Sequence, residues 1–325
     1  MKKLSRIVTL GMLAFCLAAP LPVLSQAFPA RPIRMIVPFP PGPALDLVAR
    51  LVAMKMGESL GQPIVVENRS GANGAIGSEL VARAAPDGYT LLAATASTHV
   101  TSVFLTRNLP YDPQKDFTPI TASVEPVTCL VVNASVPANS VKELIDHARR
   151  NPGKLSYGSS GVGSVFHMMG ELFKQTTGVD IVHVPYKGVV PAMSDVAAGQ
   201  ITMTFISVSN AIPHLRAGKV KILATLEPGR YAGLPGVPSI VESVPGFHKP
   251  ASWFGFFGPA GLTQPILARL NAEMVKALNA PEVRSKLEDV GFAVIGDTPE
   301  QFAALIKAGM QQYGGIIKAA GIQPE

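Results

Sequence analysis

The sequence predicts an α/β protein of two lobes with mainly parallel sheets, and three observations carry that prediction. Short apolar, β-branched runs alternate with helix-spaced apolar runs along most of the chain. Cap and turn residues punctuate the helices where the periodicity stops. Two extended runs, 130–137 and 252–259, read as crossings between α/β units. A middle unit is then inserted between the halves of a split first one, and paired crossings of this kind make a hinge with a cleft between the lobes.

Residues 1–27 precede the fold. Lys2, Lys3 and Arg6 lead into an apolar run over 7–19, and Ser25-Gln26-Ala27 offers the small residues a signal peptidase reads, so an exported chain cut after Ala27 is expected. The run is short for a membrane span, and bulky Phe15 before Cys16 argues against a lipid anchor. The rest, 325 less 27 residues with an overall hydrophobic content of 47%, suffices for two domains with cores of their own. Losing three cations takes the formal charge from +6 to +3. No basic block is present, which excludes nucleic acid as an expected partner. Cys129 is then the only cysteine, so no intrachain disulfide is expected.

Strands are predicted at 33–39, 64–67, 90–94, 130–133, 155–158, 181–184, 203–206 and 222–224. Helices are predicted at 45–60, 74–85, 141–150, 164–177, 190–198, 211–217 and 298–320. Ser140 with Glu143, and Thr298-Pro299-Glu300-Gln301, are N-terminal signatures. Asn151-Pro152-Gly153, Gly199, Gly218 and Gly291 mark helix ends, and Gly314-Gly315 predicts a weak or bent point in the last helix. The first lobe is expected to comprise 28–135 with 251–325, and the second 136–250.

Three turns rich in Gly, Pro, Ser or Thr follow apolar strands and precede helices: Pro40-Pro41-Gly42-Pro43, Ala94-Thr95-Ala96-Ser97-Thr98-His99 and Gly158-Ser159-Ser160-Gly161-Val162-Gly163-Ser164. Such turns present N–H groups and hydroxyls at helix starts, where an anion is favoured, although the same residue types also serve as ordinary caps. His99 and His167 lie close enough to these turns to reach a ligand, and Tyr186-Lys187-Gly188 is carried to a strand's end by 182–185. The six histidines show no metal-ligand spacing, and no metal or cofactor is expected. No catalytic residue is expected either. With Ser160 as nucleophile, Val162 breaks the Gly-x-Ser-x-Gly pattern, and a secreted serine hydrolase lacks a recognisable base and orienting acid. No dinucleotide or phosphate-loop signature is present.

Seven blocks then occur in one order: Val37-Pro38-Phe39-Pro40-Pro41-Gly42 with Asp46 and Ala49-Arg50; Val66-Glu67-Asn68-Arg69; Ala85-Pro86-Asp87-Gly88-Tyr89-Thr90-Leu91-Leu92; Leu109-Pro110-Tyr111-Asp112; Tyr157-Gly158-Ser159-Ser160-Gly161; His183-Val184-Pro185-Tyr186-Lys187-Gly188; and Ser252-Trp253-Phe254-Gly255. Together they resemble the tripartite tricarboxylate transporter receptor family, the periplasmic solute-binding Bug proteins, over essentially the whole mature chain. The resemblance implies a Venus-flytrap receptor of type II topology that closes over a small carboxylic acid. It implies, as output, delivery to the membrane permease subunits of a tripartite tricarboxylate-type system or, alternatively, signalling to a sensor kinase. A periplasmic monomer is expected.

Carried over residue by residue, the resemblance assigns ligand contacts in the first lobe to Pro41, Gly42, Pro43, Ala44, Leu45 and Asp46, and to Thr95, Ala96, Ser97, Thr98 and His99. In the second lobe it assigns them to Ser159, Ser160, Gly161, Val162, Gly163 and Ser164, with His167, and to Tyr186, Lys187 and Gly188, with Ile206 and Ser207 on a further loop. Departures from the family pattern shape the expected ligand. Pro43 stands where a second glycine is usual and Leu45 where a hydroxyl is usual. Val162 takes a commonly polar position, and Ile206 stands in place of a carboxylate that would pair with an ammonium. An amine-free carboxylate with an aromatic or branched apolar body is expected.

Overall fold

The computed structural model describes residues 28–42 and 44–324. The expected signal peptide, residues 1–27, and Pro43 lie outside the described residues, and among those described no helix is long and apolar enough to cross a membrane. The strands are β1 (Ile33–Val37), β2 (Ile64–Asn68), β3 (Thr90–Thr95), β4 (Phe117–Pro126), β5 (Thr128–Asn133), β6 (Leu155–Ser159), β7 (Ile181–Pro185), β8 (Met203–Ser207), β9 (Val220–Thr225), β10 (Phe254–Pro259) and β11 (Phe292–Val294). The helices are α1 (Ala44–Leu60), α2 (Ala75–Ala82), α3 (Ser102–Leu105), α4 (Val141–Arg150), α5 (Val165–Thr177), α6 (Val189–Ala198), α7 (Val208–Arg216), α8 (Gln264–Asn279), α9 (Pro281–Asp289) and α10 (Pro299–Ala319).

Two sheets organise these elements, in the orders β11-β4-β10-β3-β1-β2 and β7-β6-β8-β5-β9. In the first, β1 pairs in parallel with β2 and β3, while β10 runs antiparallel between β3 and β4. The second repeats the plan: β6 is parallel to β7 and β8, and β5 is antiparallel between β8 and β9. In each sheet one antiparallel strand arrives from the other lobe, β10 in the first and β5 in the second, and the first sheet adds β11 antiparallel to β4 at its edge. The parallel strands thereby send all their C-terminal ends, and the helix starts that follow, to one edge, which is where open α/β sheets hold ligands.

The first crossing lies earlier than the sequence indicates. The run 130–137 does not connect the lobes. Its first half is β5, hydrogen-bonded into the second sheet with every residue buried, and the change of sheet falls at Val127. An extended, largely apolar run has the same appearance whether it crosses solvent or lies in a sheet covered on both faces. The second crossing does enter the first sheet, as β10. β4 carries Pro119, Pro126 and small polar residues, which hide it from a search for β-branched runs. The expected bend in the last helix is also absent. α10 runs unbroken through Gly314, and the absent side chain there leaves room for the Phe104 ring, 2.9 Å from where a Cβ would stand. The Ser140 and Thr298 caps form as read, Ser140 Oγ accepting the Glu143 N–H at 3.2 Å and Thr298 closing a capping box with Gln301.

Each sheet is covered on both faces by helices with their own apolar cores. One helix belongs to both lobes. α5 is built on the second sheet, yet its Met168 is buried with Trp253, Tyr313 and Ile316 of the first lobe, and Gln175 Nε2 donates to the Ile316 carbonyl at 3.3 Å. On another face the Val127 N–H donates to the Gly291 carbonyl at 2.9 Å.

Candidate ligand site

In the first lobe the turn after β1 is fixed from behind by Asp46, which is 4% exposed. Its Oδ2 accepts the Gly42 N–H (3.0 Å) and Arg50 Nε (2.9 Å), and its Oδ1 accepts Asn68 Nδ2 (2.9 Å). Asn68 Nδ2 also donates to the Phe39 carbonyl at 3.0 Å. Burial works against this carboxylate's charge, but Arg50, the Gly42 amide and Asn68 together hold its pKa below the ordinary value. The Gly42 donor is therefore spent within the protein. Leu45 packs into the first-lobe core, 4% exposed, so its side chain adds nothing apolar to a cleft wall. What α1 leaves for an anion is the backbone of its first turn, at the exposed Ala44.

The turn after β3 is tied internally: Thr95 and Thr98 exchange N–H to hydroxyl bonds at 3.2 and 3.3 Å, and the Ala96 N–H donates to the Trp253 carbonyl at 3.1 Å. Thr95 and Ser97 remain partly exposed. His99 points the other way. It is fully buried, stacked on Phe257 with centroids 4.3 Å apart and edge-on to Phe117, with Nδ1 3.0 Å from Thr98 Oγ1. Burial pushes its pKa down to about 3. The turns meet at Gly74, where a Cβ would lie 2.8 Å from Thr98 Cγ2 and 3.3 Å from Phe39 Cζ.

In the second lobe, the 159–164 turn follows β6. Ser159 Oγ accepts the Gly161 N–H at 3.1 Å, and His167 Nδ1 accepts the Gly163 N–H at 3.0 Å. Ser164 caps α5 by accepting the His167 N–H at 3.2 Å. Ser160 is partly exposed and Val162 is 49% exposed. The 186–188 turn lies alongside, the Tyr186 N–H donating to the Ser159 carbonyl at 3.1 Å. The Tyr186 hydroxyl bends away to donate to Asp195 Oδ2 at 2.7 Å, leaving Lys187 exposed. Ile206 is buried in the second-lobe core, 1% exposed, and the 8% exposed Ser207 accepts Asn210 Nδ2 at 2.6 Å. The lobes touch at Gly163, where a Cβ would collide with Leu105 Cδ1 of α3.

Sequence reasoning singled out the turns and missed what holds them: Asn68 and Arg50 behind the first, His183 and Glu171 behind the third. The His167-to-Glu171 spacing, one helical turn, is a legible signal. His183 is partly buried on β7, and its Nε2 lies 2.7 Å from Ser159 Oγ. That pair has the residue types of a nucleophile and its base, but Ser159 is 1% exposed and its hydroxyl is engaged with both backbone groups of Gly161.

Two α/β lobes joined by paired crossings, with the Gly163 turn of one lobe set against Leu105 of the other, have the architecture of a two-lobed solute-binding protein. The comparisons with known proteins agree. The family model described as tripartite tricarboxylate transporter family receptor matches residues 48–322. The chain is 40% identical over 294 residues to the UPF0065 protein in the tcbD-tcbE intergenic region of Pseudomonas sp. strain P51, covering 90% of this chain and 87% of that one. Among solved structures it is similar to R. palustris Rpa4515 with adipate, at 36% identity and a TM-score of 0.81 over 92% of this chain and 100% of that one. It is also similar to MatC from Rhodopseudomonas palustris with bound malate, at 35% identity and 0.75 over 89% and 100%. The chain belongs to the tripartite tricarboxylate transporter receptor family, whose members are periplasmic solute-binding receptors and not enzymes.

Proposed function

We propose that this receptor captures an amine-free carboxylate with an apolar or aromatic body and delivers it to the membrane permease of a tripartite tricarboxylate-type system. The observation that supports the reading is a set of exposed apolar side chains near helix starts that follow strands: Leu47 (37%), Ile76 (53%) and Val103 (43%) in the first lobe, Val162 (49%) and Val190 (65%) in the second. Apolar side chains left in water near the helix starts of both lobes favour a ligand, or a lobe closure, that covers them. The carboxylate end is supported by the helix-start amides of α1, α5 and α6, and by the relatives solved with adipate and with malate.

A thermal-shift screen of carboxylic acids is the direct test, since a ligand that binds only the folded chain raises its melting temperature. Phenylacetate, branched-chain acids and adipate are expected to stabilise the protein. Stabilisation by aspartate or glutamate with no response to the apolar acids overturns the ligand class. The double variant Val162→Ser/Val190→Ser is expected to weaken phenylacetate binding about tenfold, by removing roughly half a valine's burial at each site, as measured by calorimetry. Uptake of the bound acid by cells with and without the receptor tests delivery.

A further inference from the structure

Behind the second-lobe turn, two histidines form one unit. The His167 and His183 rings stack with centroids 3.8 Å apart and planes 12° apart, and the Tyr157 ring stacks on His183 at 4.9 Å. Each histidine reaches one glycine of the turn. His167 Nδ1 accepts the Gly163 N–H directly, while His183 Nε2 meets Ser159 Oγ, which accepts the Gly161 N–H. The path from Gly163 through His167, His183 and Ser159 to Gly161 is a closed loop, and both glycines carry positive φ, 127° and 76°. Because the Gly163 N–H is a donor, His167 Nδ1 carries no proton. The ring is the neutral Nε2–H tautomer, with Nε2 facing Glu171 Oε1 at 4.0 Å. Glu171 in turn accepts the Tyr157 hydroxyl (2.6 Å) and Lys174 Nζ (2.9 Å), so the pair is buttressed on every side.

We infer that His167 and His183 are positioning residues for the second-lobe wall of the ligand site. By drawing the Gly161 and Gly163 amides inward, they leave the intervening Ser160 and Val162 to face outward and set Gly163 against Leu105 of the first lobe. The inference rests on the reading of that turn as a ligand wall. Neither ring need touch the ligand.

The test compares His167→Asn, which keeps an acceptor at the branch occupied by Nδ1, with His167→Leu, which fills the space without one. Calorimetry with phenylacetate and adipate as probes is paired with hydrogen exchange of the Gly163 amide. Asn is expected to bind within about threefold of the parent, and Leu to weaken binding about tenfold with loss of Gly163 protection, the scale of one hydrogen bond. Packing alone predicts the reverse order. His183→Phe keeps the stack but not the Ser159 contact and is expected to weaken binding as well. In the unaltered protein, nitrogen spectra should show His167 Nδ1 unprotonated at pH 7. A proton on Nδ1, or parental affinity in His167→Leu, overturns the inference while the receptor reading stands. If neither probe binds the unaltered protein, the ligand reading falls and this inference falls with it.

Discussion

Lys249→Met is expected to cost about 3–5 kcal/mol and to lower the melting temperature by about 10 °C. The Lys249 ammonium, its side chain 4% exposed, lies between Glu125 Oε1 at 2.8 Å and Glu227 Oε1 at 2.9 Å. Glu125 is the penultimate residue of the first lobe's β4, Glu227 follows the second lobe's β9, and Lys249 lies on the return crossing. The same oxygens accept backbone donors from both crossings: Glu125 Oε1 takes the Ser252 N–H at 2.9 Å, and Glu227 Oε1 takes the Thr128 N–H at 3.0 Å. Burial acts to lower the lysine's pKa, but the two carboxylates outweigh it and raise it, so the side chain is a cation at neutral pH. Methionine fills most of the volume and leaves two carboxylates, each about one-fifth exposed, without their counter-charge. The triple variant Glu125→Gln/Lys249→Met/Glu227→Gln is expected to be less destabilised than Lys249→Met alone, because no uncompensated charge remains. A melting temperature for Lys249→Met within 2 °C of the parent would show that the hinge does not depend on this cluster.

That cluster also marks what the sequence does not disclose. Periodicity locates most strands and helices because an apolar face repeats at the spacing of the element that buries it, and cap residues at Ser140 and Thr298 act within four residues of chain. The turns between strand ends and helix starts are legible for the same local reason. Which of their side chains stay exposed is not. Leu45, His99 and Ile206 stand at the right places in the chain, but each points into a core. One residue's rotation about a helix or strand decides inside from outside, and that rotation is fixed by packing against distant elements. The Glu125–Lys249–Glu227 cluster and the His167–His183 stack join residues from separate helices, strands and crossings, so no spacing in the sequence announces them.

Stability is expected to fall steeply on mild acidification, by about 2 kcal/mol at pH 5 for each of His99 and His167. Both are buried and neutral. Burial holds His99 at about 3 and His167 at about 4, with the nearby Glu171 carboxylate only partly opposing the latter shift and Lys174 adding to it. In the unfolded chain both titrate near 6.5. Between those limits the unfolded state binds protons that the folded state refuses, so stability drops as the pH falls below 6.5 and levels off only as the folded groups themselves protonate. Carboxylates do not confuse this window. Glu67, held at about 2 by Arg34 and Arg69 against its burial, contributes stability that is lost only below its ordinary value of 4.5. Asp297, raised by burial, acts in the opposite sense, favouring the folded state as the pH falls towards 3.8. Urea denaturation at pH 7.5 and pH 5 measures the drop, to which His183, also held at about 4 by burial and by His167, adds in the same direction; His99→Phe, which suits the Phe117–Phe257 cluster, is expected to remove about one-third of the three histidines' share. A His99 ring resonance that titrates near 6.5 in the folded protein, or a pH dependence unchanged by His99→Phe, would show that the ring is not held neutral by the core.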